Sequence, residues 1–425
     1  MIFLRNSYID KIKKYLPNKN AIILVGARQV WKSSLIKSLL QEKVIENEIL
    51  LNWDDFILED FSAKSFLDFL EFKYDIKNKD YLIIDEAQKI NNIGIIIKYL
   101  VDKNKESDLN LKIIISWSWS LEIFRGITDS LIWRYNLIKV KPFSFVEFLE
   151  FNNLNLNSIN TADISWLIKT EIYKYFNIYI KYGWYPEVIK AKTEDDKKTV
   201  FKSIYDDYLY KDIWFLLKED ENIYFIKFLK LFVTKIWSLV KSEQIIEELG
   251  IKKKLYNKFI QIVESSFLFD FISPFSSNIW NEIKKSTKWY MNDIGFLNYL
   301  LWIGQISAEF KWKIIENYIY NELCFIKQDF EEIKFWQNKN GTEVDFLLID
   351  NFDKKILPIE VKSWKKDILP KSLLSFISKY RENISSAIIT SDWVSKKREL
   401  ENINYTFVDY RLINIYFNKL KKWKN

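Results

Sequence analysis

The sequence predicts an α/β protein in which a parallel-sheet core of roughly 150 residues is followed by helical segments and a smaller α/β domain. Three observations support this prediction. Short apolar runs alternate with amphipathic segments through the amino-terminal third, as in a parallel sheet covered by helices. A glycine, a lysine and two serines follow the first apolar run at the spacing of a phosphate-binding loop. Near the carboxyl terminus, two predicted strands carry acidic residues at a spacing suited to a metal ion.

Composition excludes several classes of site. The chain has 425 residues, one cysteine, no histidine and a net charge of +7. Neither a disulfide framework nor a Cys/His zinc site can form within one chain, so a bound metal needs oxygen ligands, which favours Mg²⁺. The net charge is too small for a chain of this size to indicate nucleic-acid binding by itself. No apolar run approaches the ~20 residues of a membrane span, and early charges argue against a signal peptide. We therefore expect a cytoplasmic protein without a membrane partner.

The first motif follows a predicted buried strand at residues 21–25. It reads Gly26, Ala27, Arg28, Gln29, Val30, Trp31, Lys32, Ser33 and Ser34, and a helical pattern follows it. Strand, turn, Lys-Ser and helix are the layout of the loop G-x-x-x-x-G-K-[ST]. In that loop backbone N–H groups bind phosphates, the lysine reaches the terminal phosphate and the hydroxyl binds Mg²⁺. The pattern thus assigns residues 26–34 to a nucleotide such as ATP, and Ser33 to Mg²⁺.

Trp31 departs from this pattern, because it stands where the loop has its second glycine. The chain has 8 glycines and 17 tryptophans, whereas average composition would give about 30 glycines. Tryptophan also stands in other predicted turns, at Trp117 and Trp119, at Trp184 and at Trp364. We therefore hypothesise that many of these tryptophans are UGA codons that the source organism reads as glycine. The alternative is a genuine, tryptophan-rich and inactivated protein. As written, the protein is expected to bind ATP poorly, because the indole would occupy space that the phosphates need.

Further buried strands are predicted at residues 49–53, 81–84, 111–115 and 138–140. Ligands bind parallel sheets at the carboxyl ends of the strands, where Lys32, Asp85 and Ser116 all fall. We expect Asp85 to hold Mg²⁺ directly or through water. Glu86 is then the residue that orients or deprotonates the attacking water. The alternative is a solvated pair of acids at a strand end.

Two weaker assignments complete this predicted site. Ser116 or Ser118 is placed to sense the γ-phosphate from the neighbouring strand. Arg134 is placed to supply positive charge in the transition state, from its own subunit or from a neighbour in an oligomer. A serine in a turn and an arginine on the surface are both common without such roles.

Five motifs resemble those of one family of AAA-type prokaryotic ATPases; they lie at residues 26–32, 84–89, 131–134, 142–148 and 183–187. The resemblance covers essentially the whole chain. It implies a P-loop ATPase core over residues 1–150, with ATP and Mg²⁺ as cofactors, and a carboxyl-terminal region of largely unassigned function. In the family, glycine stands at the positions that are here Trp31, Trp117, Trp133 and Trp184.

Two middle segments follow the predicted core. Residues 151–225 are rich in helical patterns and resemble the helical lid of AAA-type ATPases. Residues 226–288 contain a helix signal from Ser242, a turn at Gly250, a lysine-rich second helix and a strand at 267–271, which is the order of a winged helix. The residues expected to face DNA phosphates or a groove are Lys253, Lys254, Asn257 and Lys258. The alternative is a winged helix used only for domain packing.

Residues 289–425 carry the second set of acids. A hairpin is predicted over residues 335–348 with its turn at Asn340-Gly341, and a strand over 357–362. The pattern resembles the PD-(D/E)xK nuclease fold, in which carboxylates bind Mg²⁺ and a lysine orients water. Its residues here are the metal ligands Asp345 and Glu360, with Glu343 and Lys362 beside them and Glu316 or Glu322 on a preceding helix. Many members of that fold bind nucleic acid without cutting it.

The sequence therefore predicts a Mg²⁺-dependent ATPase whose hydrolysis cycle is coupled to DNA engagement by the carboxyl-terminal domains. Two other interpretations remain open at this point. One is a binding protein without turnover, in which Trp31 is genuine and the loop is vestigial. The other is an ATPase whose carboxyl-terminal half is a protein-interaction module.

Overall fold

The computed structural model of the chain describes residues 3–52, 62–87, 90–106, 110–118, 131, 133–154, 156, 164–235, 242–276, 287–301 and 308–422. Five positions of the predicted strands, turns and motifs lie outside these ranges, namely Trp53, Gln88, Lys89, Trp119 and Ile132.

The amino-terminal sheet has five parallel strands in the order β2-β3-β4-β1-β5. Their bounds are β1 Ala21–Gly26, β2 Glu48–Asn52, β3 Tyr81–Asp85, β4 Lys112–Ser118 and β5 Tyr135–Lys139. Each predicted strand is present, and the parallel-sheet prediction is confirmed. β4 differs from expectation, because it continues to Ser118 through residues that the sequence predicts as a turn.

Helices cover both faces of this sheet, and this is why β1 is buried along its whole length. The helices are α1 Asn6–Tyr15, α2 Lys32–Gln41, α3 Ala63–Lys73, α4 Ile93–Glu106 and α5 Phe145–Phe151. Alternate residues of a strand point to opposite faces. Ile22 and Leu24 accordingly join the core formed with α1 and α2, whereas Ile23 and Val25 join the core formed with α3 and α4.

The next segment is helical, as predicted for the lid assigned to residues 151–225, but its last helix runs past that boundary to Lys235. The term lid is used below only as a name for these helices. The segment contains α6 Trp166–Tyr182, α7 Pro186–Lys190, α8 Glu194–Asp206, a π-helical turn Asp207–Ile213 and α9 Glu219–Lys235. Gly183 joins α6 to α7 with φ +66°, and a Cβ there would lie 2.3 Å from Asp293 Oδ1. Only glycine therefore permits this close approach of the lid to the following helices. None of the helices in the described ranges combines the length and the apolar character needed to cross a membrane.

Helix, turn, helix and hairpin follow in the order predicted for a winged helix, although that identity stays a prediction. The elements are α10 Ser242–Leu249, α11 Lys253–Ser265, β6 Phe269–Ile272 and β7 Lys288–Met291. Gly250 turns the chain between the two helices at φ +62°. β6 and β7 pair antiparallel, with Phe269 opposite Met291. The domain boundary drawn from the sequence at residue 288 falls inside β7.

The carboxyl-terminal domain is a six-stranded mixed sheet in the order β12-β13-β11-β10-β9-β8. Its elements are α12 Ile294–Leu301, α13 Ala308–Ile326, β8 Glu331–Gln337, β9 Glu343–Asp350, β10 Ile356–Glu360, α14 Lys371–Tyr380, β11 Ser386–Ser391, β12 Lys396–Leu400, β13 Ile403–Asp409 and α15 Ile413–Lys422. β8 and β9 form the predicted hairpin, whose turn is closed by the Asn338 N–H donating to Thr342 O at 2.9 Å. β10 ends at Glu360, so Lys362 lies just beyond the strand.

Candidate functional site

The loop at residues 26–34 connects β1 to α2. Gly26 lies so close to the chain leaving β5 that a Cβ there would come within 2.2 Å of Val140 O. Lys32 is buried, and its Nζ donates to Gly26 O at 3.0 Å and to Ala27 O at 2.8 Å. The ammonium therefore lies across the turn of the loop, the position from which a loop lysine reaches a phosphate.

A cavity of about 250 Å³ opens beside this loop. It is lined by residues from the loop, from the ends of β3 and β4, and from the lid: Arg28, Gln29, Trp31, Lys32, Ser33, Ser34, Glu86, Ser118 and Asp207. Cationic and hydroxyl groups thus share the cavity with two carboxylates, and the cavity lies at the carboxyl ends of parallel strands, where such sheets bind ligands. The arrangement suits a phosphate group together with an oxygen-coordinated cation.

The two acids at the end of β3, Asp85 and Glu86, are held by serines of β4. Ser116 Oγ donates to Asp85 Oδ1 and accepts the Glu86 N–H at 3.1 Å. Ser118 Oγ donates to Glu86 Oε1 at 3.1 Å. Glu86 has φ +55°, a left-handed conformation that is costly for a residue with a side chain. Its backbone and its carboxylate are therefore both positioned by β4.

These contacts change the assignment of the sensor serine. Ser116 is fully buried and is not among the cavity-lining residues, so it is placed to orient Asp85 and Glu86. Ser118 lines the cavity and fits contact with a γ-phosphate better.

Arg134 does not fit a role in the cavity of its own chain. It lies just before β5, and its carbonyl accepts the Ala21 N–H at 2.9 Å, at the amino end of β1. The loop leaves the other end of β1, which is about 16 Å away at 3.3 Å per residue. Arg134 Nε instead donates to Asp102 Oδ1 at 2.7 Å, and this hydrogen bond raises the pKa of Arg134. Only the role towards a neighbouring subunit remains open for it.

The Trp31 indole points from the loop towards the lid, which corrects the expectation that it fills the phosphate space. Its Nε1 donates to Glu187 Oε1 at 2.9 Å, and Lys190 Nζ lies 4.3 Å from the ring centre. The ring also packs edge-on against Phe143, with centroids 5.4 Å apart. The backbone conformation still favours glycine at this position, since Trp31 has φ +64°, which is rare for so bulky a residue.

Four of the tryptophans proposed as recoded glycines fall into two groups. Trp133, like Trp31, has a positive φ, and its side chain is 89 % exposed. Trp117 and Trp184 are buried without a positive φ. Trp184 is well accommodated, because its ring stacks on Tyr179 at 4.6 Å and its Nε1 donates to Asn292 O at 2.7 Å. The backbone therefore favours glycine at 31 and 133 and gives no such signal at 117 and 184.

Asp207 is a lining residue that the sequence did not reveal. It begins the π-helical turn of the lid, and its Oδ2 accepts a hydrogen bond from Gln29 Nε2 at 3.5 Å. α8 carries several acids along its length, so sequence alone cannot tell which of them reaches the cavity.

The second cluster of acids lies between α13 and the sheet of the carboxyl-terminal domain. Carboxylate oxygens of Glu316, Glu343 and Asp345 come within 4.8 Å of one another. β9 and β10 pair antiparallel with Phe346 opposite Ile359, and the next pair in this register is Asp345 with Glu360. The structure thus brings together the acids that the sequence assigns to one site.

Lys362 pairs with Glu360 beside this cluster. Glu360 Oε1 accepts hydrogen bonds from Lys362 Nζ and from Ser372 Oγ, each at 2.9 Å. Glu360 Oε2 is buried and has no hydrogen-bond partner within the described residues. An unpaired carboxylate oxygen in such a position is costly unless a cation or water binds it.

Burial and the closeness of like charges shift the pKa values of the groups in this cluster. Burial, together with the nearby Glu360 and Glu316 carboxylates, raises the pKa of Asp345 well above its usual value. Burial also raises the pKa of Glu343. Burial alone would lower the pKa of Lys362, but Asp345 and Glu360 outweigh it and leave that pKa raised. The cluster therefore lacks positive charge.

Glu322, the other candidate on α13, faces away from the cluster. Its Oε1 accepts the Phe145 N–H at 2.9 Å, and its Oε2 accepts from Asn414 Nδ2 at 2.7 Å. Burial raises the pKa of Glu322 to about 7. It joins α13 to the start of α5, and Glu316 is the helix acid of the cluster.

The predicted DNA-contacting helix is partly used for packing contacts. Lys253, Lys254 and Asn257 are exposed on α11. Lys258 Nζ instead pairs with Glu221 Oε2 of α9 at 2.6 Å, so its charge is already balanced within the chain. The exposed cationic surface is smaller than the sequence suggests.

Three protein families match successive parts of the chain. Residues 18–149 match a family described as an AAA domain. This confirms the AAA-type prediction for the amino-terminal region. Residues 173–307 and 313–408 match two domains of unknown function, DUF8612 and DUF4143. Those two families assign no activity to the rest of the chain.

Similar proteins are known in archaea and bacteria. Uncharacterized protein MJ1544 of Methanocaldococcus jannaschii is 26 % identical over 395 residues, which cover 89 % of this chain and 83 % of that protein. An uncharacterized protein of Haemophilus influenzae is 25 % identical over 332 residues, covering 75 % of this chain and 78 % of that protein. Neither description assigns a function.

Two solved structures that resemble this chain are less similar to it in sequence than these two proteins are. The Walker-type ATPase PABY2304 of Pyrococcus abyssi has a TM-score of 0.44 and 16 % identity, covering 70 % of this chain and 96 % of that one. AMPPCP-bound DnaA from Aquifex aeolicus has a TM-score of 0.27 and 18 % identity, covering 61 % and 87 %. These scores are too low to establish a shared overall fold.

Proposed function

We propose that this chain is a Mg²⁺-dependent ATPase of the AAA type, and that ATP hydrolysis controls how its carboxyl-terminal region engages DNA. The ATPase part rests on one observation, which is that Lys32, Ser33 and Glu86 line a single cavity at the end of a parallel sheet. Groups of these types around one cavity bind the phosphates of a nucleotide and activate a water molecule beside them.

In this proposal, the N–H groups at the start of α2 and the Lys32 ammonium bind the phosphates. Ser33 would hold Mg²⁺ directly, and Asp85, which does not itself line the cavity, would hold it through water. Mg²⁺ neutralises phosphate charge when it is bound. Glu86 orients the attacking water and accepts its proton. The Glu86 carboxylate is oriented for this role by the hydrogen bond that Ser118 Oγ donates to its Oε1 at 3.1 Å.

The Trp31→Gly chain is the parent for this test, because Trp31 is expected to weaken ATP binding. In that chain Lys32→Met tests the ATPase proposal, and Lys37→Met is its matched control because Lys37 is exposed on the same helix. Lys32→Met should weaken ATP binding by roughly tenfold or more, equal to at least about 1.4 kcal/mol. Lys37→Met should bind like the parent chain. Fluorescent-nucleotide titration measures both, and equal ATP binding by the two variants would overturn the proposal.

Arg134 extends the proposal to an oligomer. It lies at the amino ends of the strands, whereas the loop lies at their carboxyl ends. We therefore assign Arg134 to the cavity of a neighbouring subunit rather than to its own. Arg134→Ala subunits mixed with Lys32→Met subunits should recover part of the lost ATP hydrolysis. Absence of recovery in a mixture shown to co-assemble would remove Arg134 from the mechanism.

The DNA part of the proposal is supported by the acid cluster. Every ligand atom there is an oxygen, and Glu360 Oε2 is a buried acceptor that a cation can satisfy. Asp345 and Glu360 are the proposed Mg²⁺ ligands, and Lys362 orients water beside a DNA phosphate.

Plasmid nicking with and without Mg²⁺ tests cleavage, and nicking that survives Asp345→Asn would have another source. DNA binding without nicking would show that the carboxyl-terminal region binds DNA but does not cut it. Absence of both binding and nicking would favour a protein-interaction module.

The backbone conformation at two tryptophans bears on the recoding hypothesis. We propose that Trp31 and Trp133 are glycine in the native protein, because both have the left-handed φ that glycine adopts without strain. Trp31→Gly should then raise ATP affinity. UGG codons at both positions, or tryptophan in the peptides of the native protein, would overturn the recoding.

A further inference from the structure

Lys288 is a buried cation in the acid cluster that the sequence did not mark. It lies on β7, outside the predicted nuclease-like domain, and its Nζ is 3.1 Å from Glu316 Oε1. The same Nζ also pairs with Glu343 Oε1. The Lys288 side chain is 4 % exposed, so these ion pairs are shielded from solvent. Tyr290, two residues on, donates its hydroxyl to Glu316 Oε1 at 2.7 Å.

The charges of the cluster do not balance among the described residues. The carboxylates are Glu316, Glu343, Asp345 and Glu360, and the ammonium groups are Lys288 and Lys362. A bound cation requires its carboxylate ligands to be deprotonated. With all four acids ionised in that state, two negative charges are left over, which is the charge that one divalent cation supplies. The acids also divide between the two lysines, since Lys288 contacts Glu316 and Glu343, whereas Lys362 contacts Glu360.

Resting on the metal site of the proposed function, we propose that the cluster binds one divalent cation, between Asp345 and Glu360, and that Lys288 fills the position of a second. A two-metal site needs ions about 4 Å apart that share carboxylates. Here the Glu316 and Glu343 oxygens that would hold the second ion already hold an ammonium group. The unpaired Glu360 Oε2 instead marks where the single cation binds.

The position of Lys288 on β7 gives this arrangement a structural consequence. β7 is half of the hairpin that follows the lysine-bearing helix α11. Through Lys288 and Tyr290, the hairpin holds Glu316 in place from outside the carboxyl-terminal sheet. Lys288 therefore acts as a positioning residue that makes the metal site depend on the preceding domain.

Mn²⁺ binding to the full-length chain, without nucleotide, tests this proposal by calorimetric stoichiometry. The parent chain should bind one Mn²⁺ that is lost in Asp345→Asn. Lys288→Met should bind two, because the Glu316 and Glu343 carboxylates lose their cation. Lys288→Arg keeps a positive charge and should bind one. One Mn²⁺ in a folded Lys288→Met, or two in the parent chain, would overturn the role of Lys288.

Glu343→Gln provides a test that does not depend on the folding of Lys288→Met. The proposed cation lies between Asp345 and Glu360, so Glu343→Gln should still bind one Mn²⁺ within about threefold of the parent affinity. A cation bound by Glu316, Glu343 and Asp345 would instead be lost or weakened at least tenfold, and this result would overturn the proposal. Equal Mn²⁺ binding by the parent chain and Asp345→Asn would overturn the metal site itself.

Discussion

The phosphate loop and the carboxyl-terminal cluster both place lysine and acids at the ends of strands, yet they arrange the charges differently. In the loop, Lys32 donates to backbone carbonyls, while serine hydroxyls hold Asp85 and Glu86. In the cluster, Lys288 and Lys362 pair directly with carboxylates, and negative charge remains in excess. Hydrogen bonds to carbonyls are ones that a phosphate can replace, whereas excess carboxylate favours a cation. The same residue types therefore suit an anionic ligand in one region and a metal in the other.

Glu86→Gln should have the largest effect, because it should stop ATP hydrolysis at the loop without changing metal binding at the cluster. It removes the base and retains the shape of the side chain, so ATP hydrolysis should fall about 10²–10⁴-fold while ATP stays bound. A phosphate-release assay on the Trp31→Gly chain measures the loss. Mn²⁺ binding at the distant cluster should not change, and this serves as the internal control. Hydrolysis at the parent rate would show that Glu86 is not the base.

Trp184→Gly tests the contact between the lid and the carboxyl-terminal half. The buried indole stacks on Tyr179 and donates to Asn292 O, so its removal should destabilise the chain by about 3–5 kcal/mol. Trp133→Gly is the matched control, because Trp133 is exposed with a glycine-like φ and its loss should be neutral or stabilising. Thermal unfolding midpoints compare the two. Equal midpoints would mean that Trp184 contributes no packing of its own.

Glu322 joins α13, which also carries Glu316 of the cluster, to Phe145 at the start of α5. Its burial predicts a dependence of stability on pH. Its pKa is raised from 4.5 to about 7, so the folded state binds the proton more tightly than the unfolded state. Stability from this group is complete below pH ~4.5 and is lost as pH rises through 7, by roughly 3 kcal/mol at 1.4 kcal/mol per pKa unit. Glu322→Gln stays neutral at every pH. Its thermal midpoint should therefore fall less than that of the parent chain between pH 5 and pH 8, and parallel curves would contradict the burial argument.

The elements of the core were predictable because their signals are local. Apolar runs at 21–25 and 81–84 are too short for helices and too apolar for surface strands, so they specify a buried parallel sheet. The loop residues are consecutive, and Asp85 and Glu86 follow directly from a strand. Asp345 and Glu360 were predictable for a related reason, since period-two alternation on paired strands places their side chains together.

The remaining features depend on partners far away in sequence. Lys288 meets Glu343 across 55 residues, and Lys258 meets Glu221 across 37. Arg134 could not be placed from its motif, because the end of the strand on which a residue lies follows from the strand register. The direction of the Trp31 indole was likewise hidden, since Glu187 lies 156 residues away on the lid.

The smallest expected effect concerns the exposed lysines of α11. Lys253→Glu with Lys254→Glu reverses two exposed charges at the start of α11, and Lys258→Glu is the contrast because Lys258 already pairs with Glu221. If both exposed lysines contact phosphates, the slope of log affinity against log salt should fall by about 2, at roughly 0.9 per contact. Lys258→Glu should change the slope little and lower stability instead, since it places two acids side by side. Fluorescence anisotropy with duplex DNA at several salt concentrations measures the slopes. An unchanged slope in the double variant would assign α11 to packing and leave the acid cluster as the chain's route to DNA.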